Sequence, residues 1–122
     1  MAYILVVDDE ESIRRLLTRW LTGWGYECKE AGNADAALEL MAVEPATIIL
    51  CDVMMPGHDG IWLAEQVCSR WPQTAIIIAS SAQDMDTVTR MRKRGAVDYV
   101  TKPFGREMLR QALLRAGEGL GT

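Results

Sequence analysis

The chain has 122 residues and a mass of 13.6 kDa, long enough for one hydrophobic core and too short for a catalytic domain joined to a second one. Its 49% apolar and 25% charged residues are globular proportions that exclude disordered, collagenous and low-complexity classes, and the longest apolar runs, Tyr3 to Val7 and Ala75 to Ala79, fall far short of the ~20 residues that span a bilayer. A formal charge of −4, from 13 basic and 17 acidic residues, argues against a dedicated nucleic-acid binder. The distribution says more. Residues 1–61 carry 4 basic and 11 acidic side chains, and residues 62–122 carry 9 and 6. Three cysteines in unrelated contexts, Cys28, Cys51 and Cys68, suit reduced thiols in a small-residue core role. With no export signal visible at the N-terminus, a cytoplasmic chain is expected.

Short apolar runs alternate with helical patterns. Tyr3 to Val7 reads as a strand. Ile13, Leu16, Leu17, Trp20 and Leu21 then share one helix face, ended by Gly23 and Gly25. Tyr26 to Ala31 is a polar-flanked strand suited to a sheet edge. Ala34, Ala37, Leu38, Met41 and Ala42 mark the next helix, with Asn33 as N-cap and Pro45 closing it. Thr47 to Cys51 is the third strand, followed by a turn-rich loop from Pro56 to Gly60. Ala64, Val67, Cys68 and Trp71 mark a third helix ahead of Pro72. Ala75 to Ala79 is a strand, Asp84 to Arg94 a thinly apolar helix and Val97 to Thr101 a strand. A final helix runs from Gly105 to Ala116, with Met108, Leu109, Ala112, Leu113 and Ala116 on one face. Five strands alternating with five helices imply an α/β fold, a parallel sheet covered on both sides, because parallel neighbours need crossover connections. The four tryptophans, Trp20, Trp24, Trp62 and Trp71, are expected to pack helices.

Ligands of open parallel sheets bind beyond the carboxyl ends of the strands. The first strand ends in Asp8-Asp9, the third in Asp52, the fourth in Ser80-Ser81 and the fifth in Thr101-Lys102-Pro103. Any one of these carboxylates could be a helix N-cap. Gathered on one edge they repel: two at ~4 Å cost roughly 4 kcal/mol at an effective dielectric of 20. Such a cluster calls for a divalent cation, and an all-oxygen set suits Mg2+ or Mn2+. A hard cation beside a carboxylate, a lysine and a hydroxyl makes a phosphoryl site, in which the carboxylate is either ligand or nucleophile. His58, the only histidine, has no second His or Cys placed to join it as a ligand and reads as an exposed loop residue.

Val6-Val7-Asp8-Asp9-Glu10, Asp52-Val53-Met54-Met55-Pro56-Gly57-His58-Asp59-Gly60, Ser80, and Asp98-Tyr99-Val100-Thr101-Lys102-Pro103-Phe104 together resemble the receiver domain of two-component response regulators, in order and over essentially the whole chain. The resemblance implies a doubly wound, flavodoxin-like sheet in the order 2-1-3-4-5. It implies that Asp52 is the phosphoacceptor, supplied by a sensor histidine kinase, a phosphotransfer protein or a small phosphodonor such as acetyl phosphate. It further implies Mg2+ held by Asp9, Asp52 and the Met54 carbonyl, with Asp8 acting through water. Lys102 would pair with phosphoryl oxygens, Ser80 would hydrogen-bond them and Tyr99 would be the aromatic switch. The Lys102-Pro103 bond would be cis. The receiver would occupy residues 1–117, with 118–122 a Gly-rich tail or the start of a linker, so that the chain is a stand-alone regulator or the input half of a longer one.

The domain would be a phosphoacceptor switch rather than an enzyme, with autodephosphorylation slowed because Met54 and Ala82 cannot orient an attacking water. The late basic excess, Arg90, Arg92, Lys93 and Arg94 with Arg106, Arg110 and Arg115, reads as a solvated face or as a surface for a second copy, an output domain or a target protein. Neither direct DNA binding nor membrane contact is expected. Rival readings are weaker. An aspartyl phosphoesterase would carry its nucleophile after the first strand, and a nucleotide or flavin binder would have a glycine-rich loop where this chain has Val7-Asp8-Asp9-Glu10. A phosphorylation-independent scaffold would have no need of the intact acidic trio, hydroxyl and lysine.

Overall fold

A computed structural model describes residues 2–80, 86, 89 and 97–119. Its strands are β1 (Ile4–Val7), β2 (Cys28–Ala31), β3 (Ile48–Asp52), β4 (Ala75–Ser80) and β5 (Val97–Thr101), and its complete helices are α1 (Glu11–Gly23), α2 (Ala34–Val43), α3 (Gly60–Arg70) and α4 (Arg106–Gly119). The five strands form one sheet in the order β2-β1-β3-β4-β5, every pairing parallel. This doubly wound order is the expected one. Of the helix expected from Asp84 to Arg94, Asp86 and Thr89 are helical and exposed; the rest, including Arg90, Arg92, Lys93 and Arg94, lies outside the described residues, as do Ser81 and Ala82. Among the described residues, no helix is long and apolar enough to cross a membrane.

Side-chain alternation along the central strands splits the core into two layers. Leu5, Val7, Ile49, Cys51, Ile76 and Ile78 face Ala34, Ala37 and Met41 of α2 and Leu63, Ala64 and Val67 of α3. Ile4, Val6, Ile48, Leu50, Ile77 and Ala79 face Leu17 and Leu21 of α1 and Leu109, Leu113 and Ala116 of α4. β2 is the polar edge, with Lys29 and Glu30 exposed. The Asn33 side chain caps α2 by accepting from the Ala36 N–H at 2.8 Å. Asp59 does the same for α3 through the Trp62 N–H, also at 2.8 Å.

Three positions depart from the expected faces. Leu16 and Met108, assigned to buried stripes, are 40% and 45% exposed, and Ala42 is exposed as well. A helix turns 100° per residue, so only the centre of an apolar stripe reaches a flat sheet and its flank stays at the rim. The tryptophans do pack helices: Trp20 and Trp24 lie against the α1/α4 layer, Trp62 and Trp71 against the α2/α3 layer. Cys28, Cys51 and Cys68 are free thiols.

Candidate functional site

Parallel strands put all their carboxyl ends on one edge, and there the chain gathers its acids. Asp8 follows β1, Asp9 opens the turn into α1, and Asp52 ends β3. A carboxylate oxygen from each lies within 4.8 Å of the others. Asp8 and Asp52 are buried and Asp9 is exposed, so the cluster opens to solvent on one side. Local geometry holds Asp8 and Asp52. Asp8 Oδ1 accepts the Glu10 N–H at 2.9 Å, while the Asp8 N–H donates to Ala31 of β2 at 3.2 Å. Asp52 Oδ1 accepts from the Met54 N–H at 3.4 Å.

One cation answers this charge directly. Lys102, just past β5, places Nζ 2.8 Å from Asp52 Oδ2. Its N–H also donates to the Ser80 carbonyl at 2.8 Å, which ties the ends of β4 and β5 together. The Lys102–Pro103 bond is cis. Ser80 is buried at the end of β4, level with Thr101 in the sheet register. Tyr99 is half-buried and packs against the α2/α3 layer. Met54 is 70% exposed. His58 is an exposed residue stacked on Trp62, with centroids 3.6 Å apart.

Electrostatics separate the groups. Burial pushes the Asp8 carboxyl above its ordinary value; the Asp52 and Asp9 charges push the same way, opposed by the Glu10 N–H and by Lys102. Burial also pushes the Cys51 thiol up, with help from Asp52, Asp8 and Asp59. Cys51 therefore stays protonated, its thiol donating to the Asp52 carbonyl at 3.2 Å, and it is no nucleophile. The donors gathered here are hard carboxylate oxygens without a His or Cys among them, which fits a small hard divalent cation.

The family model for the response regulator receiver domain matches residues 4–114. The chain belongs to that family. Receiver relatives include the DNA-binding transcriptional regulator NtrC of Escherichia coli K12, 39% identical over 83% of this chain and 22% of that protein. An NtrX-like response regulator of Rickettsia conorii is 36% identical over 94% of this chain and 25% of its own length. The chain thus spans about a quarter of the length of these curated relatives. Among solved structures, the receiver domain of NtrX from Brucella abortus superposes with a TM-score of 0.87 at 32% identity, covering 94% of this chain and 98% of that one. As a receiver domain of a two-component system, the chain is a signalling switch.

Two features of the receiver site were not read from the sequence. Gly60 is required by close approach: a Cβ on it would lie 2.1 Å from the Asp52 carbonyl oxygen and 3.0 Å from Val53 Cα. Arg14 reaches under the acidic turn, with Nη1 2.6 Å from the Asp8 carbonyl oxygen. Gly60 ends a motif already singled out, so a glycine opening a helix was the available signal; Arg14 offered none beyond its place early in a helix. On the basic face, Arg106 and Arg110 are exposed on α4, whereas Arg115 Nε pairs with Asp98 Oδ2 at 2.7 Å.

Proposed function

We propose that Asp52 accepts a phosphoryl group from the phosphohistidine of a sensor kinase or phosphotransfer protein, and that the acyl phosphate so formed switches a partner surface around the segment 84–94, β5 and α4. The observation that carries this reading is the buried Asp52 carboxylate, 2.8 Å from Lys102 Nζ and clustered with Asp8 and Asp9. A carboxylate oxygen attacks phosphorus, the P–N bond breaks, and the imidazole leaves. Lys102 holds one Asp52 oxygen and is placed to meet the arriving phosphoryl oxygens. Asp9, Asp52 and the Met54 carbonyl would hold Mg2+, with Asp8 acting through water. The bound ion would supply charge neutralisation for the phosphoryl oxygens.

Ser80, at the end of β4, would hydrogen-bond the new phosphoryl group, and Tyr99 would report that contact to the outer face. Added charge and acceptor oxygens at one point bias a two-state surface, and a partner that prefers one state stabilises it in return. The occupant would be a second copy, an output domain or a target protein, engaged through exposed Arg106 and Arg110 and the basic residues of the preceding segment. The receiver unit is taken as residues 1–117, with 118–122 a tail or the first residues of a linker, working in the cytosol. Exposed, apolar Met54 cannot orient a water, so the phosphoryl group is expected to persist well beyond seconds, as loss of phosphate from the purified domain would measure.

The test is incubation with Mg2+ and acetyl phosphate followed by intact mass measurement. Wild type should gain one phosphate and Asp52→Asn none. Uptake by the variant, or steady turnover of a phosphomonoester by wild type, would refute the reading.

A further inference from the structure

We propose that Arg14 is a positioning residue for the acidic cluster, acting through the main chain of Asp8; the proposal rests on the metal-binding reading above. An arginine in the first turn of a surface helix ordinarily extends into water. This one does not. Its side chain is only 17% exposed, Nη1 donates to the Asp8 carbonyl at 2.6 Å, and Nε donates to Glu30 Oε1 at 3.3 Å. The Asp8 carbonyl belongs to the peptide that joins Asp8 to Asp9. A peptide unit is planar, so holding its oxygen fixes the rotation of that plane, and with it the directions in which both carboxylates leave the backbone.

The remaining holds on Asp8 come from the same neighbourhood. Its N–H is tied to Ala31 of β2, and the Glu30 that orients the guanidinium stands beside Ala31 on that strand. An exposed Arg–Glu pair alone contributes little. A charged donor on the carbonyl between two acids does more, because it fixes the peptide that carries both of them without occupying a carboxylate oxygen of the cluster. Lys102, in contrast, takes Asp52 Oδ2. Arg14 therefore orients the acids and leaves their oxygens for the ion.

The experiment is a Mg2+ titration of the whole chain by calorimetry, with Tm measured in EDTA and in saturating Mg2+, for wild type, Arg14→Met, Arg14→Lys and Glu30→Gln. Arg14→Met should weaken Mg2+ binding about 10-fold, the lower end of what loss of an outer-shell partner costs. Arg14→Lys, with one ammonium for two acceptors, and Glu30→Gln, which only loosens the guanidinium, should shift the affinity less and in the same direction. The stabilisation that Mg2+ adds should shrink in step. Equal loss of Tm with and without Mg2+ at unchanged affinity would mean a purely structural role and would overturn the assignment. Should Arg14→Met not fold, unchanged affinity in both milder variants overturns it equally. Wild type that fails to bind Mg2+ would remove the metal reading and this proposal together, whereas binding by wild type matched by every variant would remove only the role of Arg14.

Discussion

At each edge of the sheet a lysine meets a carboxylate, and the two pairs behave differently. On the amino edge Lys29 Nζ lies 3.7 Å from Glu44 and 4.5 Å from the Tyr3 ring centroid, with both charged side chains more than 40% exposed. On the carboxyl edge Lys102 Nζ lies 2.8 Å from an Asp52 that is only 10% exposed, amid two further acids. The first pair is a balanced surface contact in water. The second leaves an excess of negative charge in a half-buried place, which is unfavourable until a cation or a proton relieves it. The same residue types thus give a charge-paired edge in one place and an acid-rich one in the other, and surrounding charge and burial make the difference.

The comparison breaks most severely at Gly60. Gly60→Ala would drive a methyl into the Asp52 carbonyl at 2.1 Å, against backbone that cannot rotate away. Loss of about 3 kcal/mol of stability is expected, together with loss of Mg2+ binding; thermal unfolding and a metal titration would read both. Lys102→Met comes next. It should slow phosphoryl uptake from acetyl phosphate about a hundredfold, as removal of a preorganised charge donor does. Because Lys102 is 40% exposed, its cost to stability is expected to be smaller, about 1 kcal/mol after screening.

Asp8→Asn tests whether the carboxyl edge is overcharged. Burial raises the Asp8 carboxyl above its ordinary 3.8, so the folded chain keeps a proton where the unfolded chain has lost it. Metal-free stability should therefore fall as pH climbs from about 3.8 through the raised value. The variant should lack that fall and melt at a higher temperature than wild type in EDTA at neutral pH. An unchanged or lower Tm would mean that the cluster carries no net repulsion. Smallest is Lys29→Ala, which should change stability by less than about 1 kcal/mol and leave phosphoryl uptake untouched.

The strands themselves were legible because fully apolar runs such as Ile48–Leu50 and Ile76–Ile78 suit the centre of a two-layered sheet, whereas their order followed from the family resemblance alone. The candidate site residues were legible for a related reason: Asp8, Asp52, Ser80 and Lys102 each stand at or just past the end of a strand, and parallel topology brings strand ends together. Less visible was whatever depends on side-chain reach or close approach. Leu16 and Met108 fit the periodicity, yet the curvature of a helix over the sheet leaves them at the rim. Arg14 carries no local signature, since its partners are a main-chain carbonyl and a glutamate on another strand. The need for glycine at position 60 follows from a backbone contact between β3 and α3 that no spacing rule encodes.

The central claim is that Asp52 is the phosphoryl-accepting group of this edge. Phosphorylation with acetyl phosphate and Mg2+, borohydride reduction of the resulting acyl phosphate to the alcohol, and peptide mapping by mass spectrometry would locate it. The account predicts reduction at position 52 alone, in an amount that follows phosphoryl uptake. Reduction at Asp8 or Asp9, or uptake with no reducible acyl phosphate at position 52, would contradict it.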